Sequence, residues 1–176
     1  MKKVAVLAGV VASLLAGCSS SIAFAHSQPS QTTATNLVSY STSYQMMKIQ
    51  ANTAKLKQAV QEAMRRVNRT YYVYSGETPY GWDCSGLVRW VYKQVGIVLP
   101  HSATAQAHLG KRVHKPKLGD IVVFGYGNYY FDHAGIYIGK GKIVDANSFF
   151  GKTVIEPLSN FKYYQNIRYV RVITTN

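Results

Sequence analysis

Apolar residues recur at helical spacing between Ala51 and Arg69. Leu56, Val60, Met64 and Val67 fall on one face, and lysine and arginine fill the other. Side chains three and four apart share a helix face, so the stretch predicts an amphipathic helix packed on a domain. A basic helix lying on a membrane surface is the competing reading. Gly76, Pro79 and Gly81 break the segment 71–80 into turns. A second helix is predicted after Asp83, a good N-cap, with Leu87, Val88, Trp90, Val91 and Val95 as its apolar positions and Gly96 as its stop. Beyond the turn at 116–119 the period changes from helix to strand. "DIVVF" reads as a buried strand. "HAGIYIG" and "KIVDAN" read as two more, joined by a tight hairpin with Gly141 in the turn, and "NIRYVRVIT" as the last. Helices first and antiparallel strands afterwards predict an α+β domain, its N-terminal helices packed on a small antiparallel sheet.

The first 25 residues have a different logic. Lys2 and Lys3 precede an apolar run from Val4 to Ala16 that is about half the ~20 residues a membrane span needs, which is the pattern of an export signal. "LAGC", ending at Cys18, resembles a bacterial lipobox, in which the cysteine is lipidated and anchors the chain to the membrane. "AFA", ending at Ala25, fits ordinary signal cleavage. Residues 26–48, rich in Ser, Thr, Gln and Asn, read as a flexible polar tether, leaving 49–176 as the folded domain.

Charge narrows the setting. Removing Lys2 and Lys3 from the 20 basic residues leaves 18 against 7 acidic ones. Such a field favours polyanions. With an export signal, the anionic polymers of a cell envelope are the expected partners, and nucleic acid is not. Simple solubility is the plainer account of the same charge.

Cysteine count changes the picture more. With Cys18 cleaved off or lipidated, Cys84 has no partner for an internal disulfide, and an unpaired cysteine in an exported chain is either a small buried hydrophobe or a reactive thiol. Its place decides the emphasis. As the first residue of the second helix it sits at the positive end of the dipole, beside unsatisfied N–H groups that favour the nucleophilic thiolate and can stabilise an oxyanion. A thiolate needs a base. Of the five histidines, His26 lies in the tether or signal, and His108 and His114 lie in polar stretches. His133 opens a strand and shares its face with Gly135 and Tyr137, while Ala134, Ile136 and Ile138 point the other way. Asp145 on the next strand is the expected orienting acceptor, directly across the hairpin, with Asn147 in reserve. No CxxC or HxxxH pair suggests a metal, and no cofactor is called for.

Three segments then carry a resemblance. "YVYSGETPYGWDCSGLVRWVYKQVGIVLPHSATAQ", "KLGDIVVF" and "DHAGIYIGKGKIVDA", in that order and over about residues 70–158, resemble the NlpC family of cell-wall cysteine peptidases. The resemblance implies a papain-like α+β fold and hydrolysis of amide bonds in peptidoglycan stem peptides, typically between D-γ-glutamyl and a diamino acid. It implies Cys84 as nucleophile, His133 as base and Asp145 in the third position, where most members have histidine. It also implies substrate contacts for Tyr72, Asp83 and Ser85. His101 stands where relatives often have arginine. Related papain-like families use the same pair as amidases at the sugar–peptide junction or as acyltransferases, and an inactive wall-binding module is the remaining alternative. The loop "GYGNYYF" reads equally as local packing or as a carbohydrate-stacking surface.

Overall fold

The computed structural model describes residues 31–173. The export signal, both processing sites and residues 26–30 of the expected tether lie outside the described residues. Helix α1 spans Gln31–Arg65, α2 Cys84–Lys93 and α3 Ala103–Ala107. The strands are β1 Glu77–Thr78, β2 Gly81–Trp82, β3 Lys111–Val113, β4 Ile121–Gly125, β5 His133–Gly139, β6 Lys142–Asn147, β7 Lys152–Pro157 and β8 Asn166–Arg171, with a short 3-10 turn at Leu158–Phe161. This is the α+β order that the change of period predicts.

The polar stretch expected as a tether is helical from Gln31 onward, a correction to the 26–48 boundary. Extending an existing helix adds one hydrogen bond per residue fixed, whereas nucleation is the costly step. The packed turns around Leu56, Val60 and Ala63 supply the nucleus. No helix among the described residues is long and apolar enough to cross a membrane.

Six strands form one antiparallel sheet in the order β3-β8-β4-β5-β6-β7. On one face, Leu56 and Val60 of α1 and Leu87, Val88 and Val91 of α2 bury against Ala134 and Ile136 of β5 and Val144 of β6. The opposite face carries a second, aromatic cluster of Val122, Phe124, Ile143 and Phe161. Strand alternation therefore assigns Ala134 and Ile136 to the helices and leaves His133 and Gly135 for the aromatic side.

Lys140 and Gly141 form the two-residue turn between β5 and β6, both with positive φ (52° and 66°), the geometry that matches strand twist. β7 escapes the sequence pattern because its polarity is inverted. Thr153 is fully buried and Glu156 is 7 % exposed, while Ile155 is 37 % exposed. The G-D turn before β4 is an anchor: Arg171 on β8 donates to both oxygens of Asp120, at 2.9 and 2.6 Å, and Lys117 N–H donates to the same carboxylate.

Candidate active site

Asp83 starts α2 with an extended backbone and accepts a hydrogen bond from Gly86 N–H at 2.7 Å. The same carboxylate accepts from Ser85 Oγ (3.0 Å), His101 Nε2 (2.9 Å) and Ser75 N–H (3.0 Å). Four donors on one buried acid pin the first turn. Cys84 is consequently the first helical residue, half-buried and, among the described residues, without a disulfide partner. Gly86 lets this corner close, because a Cβ there would collide with the Gly76 carbonyl and press on His101.

His133 begins β5 beside Phe124 and stacks on Phe161, with ring centroids 5.6 Å apart and planes 14° apart. Its Nε2 lies 2.8 Å from Asp145 Oδ2. Nε2 being committed to Asp145, Nδ1 is the ring nitrogen left free for Cys84, whose charge acts on the ring. The Cys84 sulfur lies 4.0 Å from the Asp132 carbonyl oxygen, at the very start of the strand.

Asp145 reaches this position through a register shift. A regular two-residue hairpin starting from Gly139 and Lys142 would set Asp145 opposite Ile136, pointing into the core. A bulge between Tyr137 and Gly139 moves the pairing to Ile136 with Val144. Asp145 then faces Gly135, whose missing Cβ would lie 3.1 Å from the Asp145 Cβ. The contact with His133 is therefore diagonal and not directly across the hairpin. Asn147, the reserve orienter, donates instead to Glu156 Oε2 at 2.7 Å.

The electrostatics follow from burial and partners. Burial pulls the His133 imidazolium down, but the hydrogen bonds and charges of Asp145 and Cys84 outweigh it and push the pKa up to about 10. Burial pushes the Asp145 carboxyl up against the opposing pull of His133, and the charge of Glu156 adds to the rise. Tyr72 is half-buried close to Cys84 and Asp83. Burial first, then those two charges, raises its phenol, so it stays a neutral donor.

Of the residues expected at the site, Cys84, His133, Asp145 and Tyr72 come together. Asp83 and Ser85 turn inward, 8 % and 5 % exposed, and organise the helix start. His101 joins them as a partner of Asp83. Sequence reading misses Gln106, fully buried, whose Nε2 donates to the Ser85 and Pro100 carbonyls and ties α3 to the nucleophile's turn. It also misses Phe161, because its contact with His133 joins residues far apart in the chain. In the tyrosine loop, Tyr126 packs on Tyr164 (4.9 Å), whereas Tyr129 and Tyr130 are exposed.

A pocket of about 320 Å³ adjoins His133, between the β6–β7 turn and the segment 160–164. A larger cavity of about 570 Å³ lies along α1, away from Cys84. Among the described residues no three His, Cys, Asp or Glu side chains converge to hold a metal ion.

Residues 69–172 match the model of the NlpC/P60 family. The chain belongs to the NlpC/P60 family. The segment is 45 % identical over 94 residues to a probable endopeptidase of Mycobacterium tuberculosis, covering 51 % of this chain and 23 % of that protein. It is 44 % identical over 95 residues to the gamma-DL-glutamyl hydrolase of Bacillus subtilis, covering 50 % and 22 %. The chain thus spans about a quarter of the length of these curated relatives. The solved peptidoglycan hydrolase RipB of Mycobacterium tuberculosis superposes with a TM-score of 0.56 at 26 % identity, over 69 % of this chain and 68 % of that one. The fold is accordingly papain-like α+β. The NlpC/P60 match leaves α1 outside it, although Leu56, Val60 and Ala63 belong to the same core.

Proposed function

We propose that this NlpC/P60 chain is a cysteine peptidase that hydrolyses amide bonds in peptidoglycan stem peptides. The observation that carries this reading is the set of Cys84 at the start of α2, its sulfur 4.0 Å from the Asp132 carbonyl at the head of β5, His133 next in that strand, and Asp145 on His133 Nε2. His133 takes the thiol proton, and the Cys84 thiolate attacks the scissile carbonyl. The N–H groups at the open end of α2 receive the oxyanion. The imidazolium then gives its proton to the leaving amine, producing an acyl-enzyme on Cys84, and a water activated by His133 hydrolyses it. Asp145 holds the ring and stabilises its charged form. Tyr72, near Cys84 and Asp83, is assigned to the acyl side of the substrate, and Asp83 and Ser85 fix the helix start that presents Cys84.

The name of one relative, gamma-DL-glutamyl hydrolase, supports a γ-glutamyl bond as the one cleaved, and the motif resemblance adds a diamino acid after it. The export pattern over residues 1–25 supports action outside the cytoplasm, either free after cleavage at Ala25 or lipid-anchored at Cys18. The packed part of α1 and the residues after it form the catalytic domain, and the net positive charge holds it near anionic wall polymers.

Digestion of purified cell walls followed by mass spectrometry tests the reading. Cleavage after γ-glutamate leaves a dipeptide stub on the glycan, and amidase action frees the peptide at the sugar junction. Release of peptide fragments by Cys84→Ala at the parent rate would refute the mechanism.

A further inference from the structure

The pocket beside His133 combines two features that conflict unless a ligand resolves them. Its walls are aromatic: Phe149, Phe150, Phe161, Tyr163 and Tyr164 line it together with His133. Yet Glu156 also lines it, 7 % exposed, with a carboxylate that only neutral groups attend. Asn147 Nδ2 donates to Oε2 at 2.7 Å, and Asn160 Nδ2 donates to Oε1 at 3.1 Å.

Among the described residues no lysine, arginine or histidine forms an ion pair with Glu156. That is a conspicuous omission in a chain with 20 basic residues and 7 acidic ones. A buried carboxylate without a counter-ion costs free energy. The acid that shares this sheet face, Asp145, carries the same sign. Among the described residues the one cation lining the pocket, His133, is already paired with Asp145 at 2.8 Å, so Glu156 is left without a counter-charge of its own. Aromatic faces and a carboxylate attract the same ligand chemistry, a cation.

Position says which cation. In the proposed reaction His133 protonates the departing amine, so that nitrogen must come within hydrogen-bond reach of the ring. A pocket lined by His133 but not by Tyr72 or Cys84 therefore lies on the leaving-group side. We propose that this pocket binds the side-chain ammonium of the residue immediately after the scissile bond, with Glu156 as its counter-charge. This assignment rests on the proposed peptidase reaction. It names the substrate class within it: stem peptides whose diamino acid keeps a free side-chain amine. Acylation of that amine, as in a cross-link, removes the charge and adds bulk at the pocket.

Three matched stem peptides test the assignment, carrying lysine, N-acetyl-lysine or norleucine after the scissile bond. Norleucine separates loss of charge from added size. The parent protein should cleave the lysine peptide with kcat/KM roughly tenfold or more above both neutral peptides. In Glu156→Gln that ratio should fall towards one, whereas a merely structural role for Glu156 would lower all three rates together. Equal rates on lysine and norleucine peptides in the parent, or an unchanged ratio in Glu156→Gln, overturn the assignment.

Calorimetric titration of the same peptides into Cys84→Ala reads the pocket without hydrolysis. Preferential binding of the lysine peptide that disappears in Cys84→Ala/Glu156→Gln supports the subsite even if the parent cleaves nothing, an outcome in which the peptidase reading alone fails. Cleavage with no preference in rate or binding overturns the subsite and leaves the peptidase reading standing. Absence of binding by any peptide overturns the subsite as well.

Discussion

His133 Nε2 donates to Asp145 Oδ2 across 2.8 Å, and the aspartate that receives it is completely buried. The contact is diagonal, made possible by a bulge in β5 and by the absence of a side chain at Gly135. An acid in that position does more than orient the ring. It holds a half-buried imidazole in its charged form, which sets the pH range over which the site works.

Replacement of Asp145 by asparagine should shift that range. The folded-state pKa of His133 is raised to about 10, so its charged form contributes stability that is fully present below its unfolded value near 6.5 and lost as pH rises through about 10. Asp145→Asn removes that charge and leaves desolvation opposed by Cys84 alone. The alkaline limb of kcat/KM should move down by about 1–3 units, with a lower kcat at its optimum. A pH–rate profile checks this, and an unmoved alkaline limb would show that Asp145 does not govern the imidazolium.

Gly135→Ala should damage catalysis from a distance of one side chain. Its new Cβ would lie 3.0 Å from Ile143 Cδ1 and 3.1 Å from both Asp145 Cβ and the Val144 carbonyl oxygen. The isoleucine tip can swing away, but the other two belong to a paired strand. About 1–3 kcal/mol of destabilisation is expected, together with a fall in kcat as Asp145 is displaced. Urea unfolding and steady-state kinetics on the same preparation measure both.

The Asp120–Arg171 pair should separate stability from chemistry. Asp120 is 4 % exposed and takes both of its charged donors from Arg171, on a strand that contributes nothing to the Cys84 site. Asp120→Ala leaves a guanidinium without its partner and should cost about 3 kcal/mol, lowering Tm while kcat at low temperature stays near the parent value. A large loss of kcat in protein that is still folded would contradict the purely anchoring role.

Asp83→Ala should do both kinds of harm. It removes an N-cap worth about 1 kcal/mol and leaves the Ser75, Ser85 and His101 donors unmet around the nucleophile's turn. Thermal unfolding should fall in temperature, and labelling of Cys84 by a thiol probe should slow as α2 frays at its first turn. Faster labelling than in the parent would show that Asp83 restrains Cys84 rather than positions it.

The sequence by itself determined a good deal here. Apolar spacing and capping chemistry are local, so the start of α2 at Asp83, the place of Cys84 on it, the strands β4, β5, β6 and β8 and the turn at Gly141 were all legible. Other features belonged to the tertiary structure alone. Polar residues 31–48 are helical because a packed nucleus further along α1 propagates into them. β7 hides Glu156 and exposes Ile155 because its neighbours on β6 and the segment after it, and not its own hydrophobicity, decide which side is covered. Above all, a one-residue bulge chose the face on which Asp145 stands. Periodicity reports which residues of one strand share a face, but a pairing register is a property of two strands, and a slip of one residue exchanges core for active site.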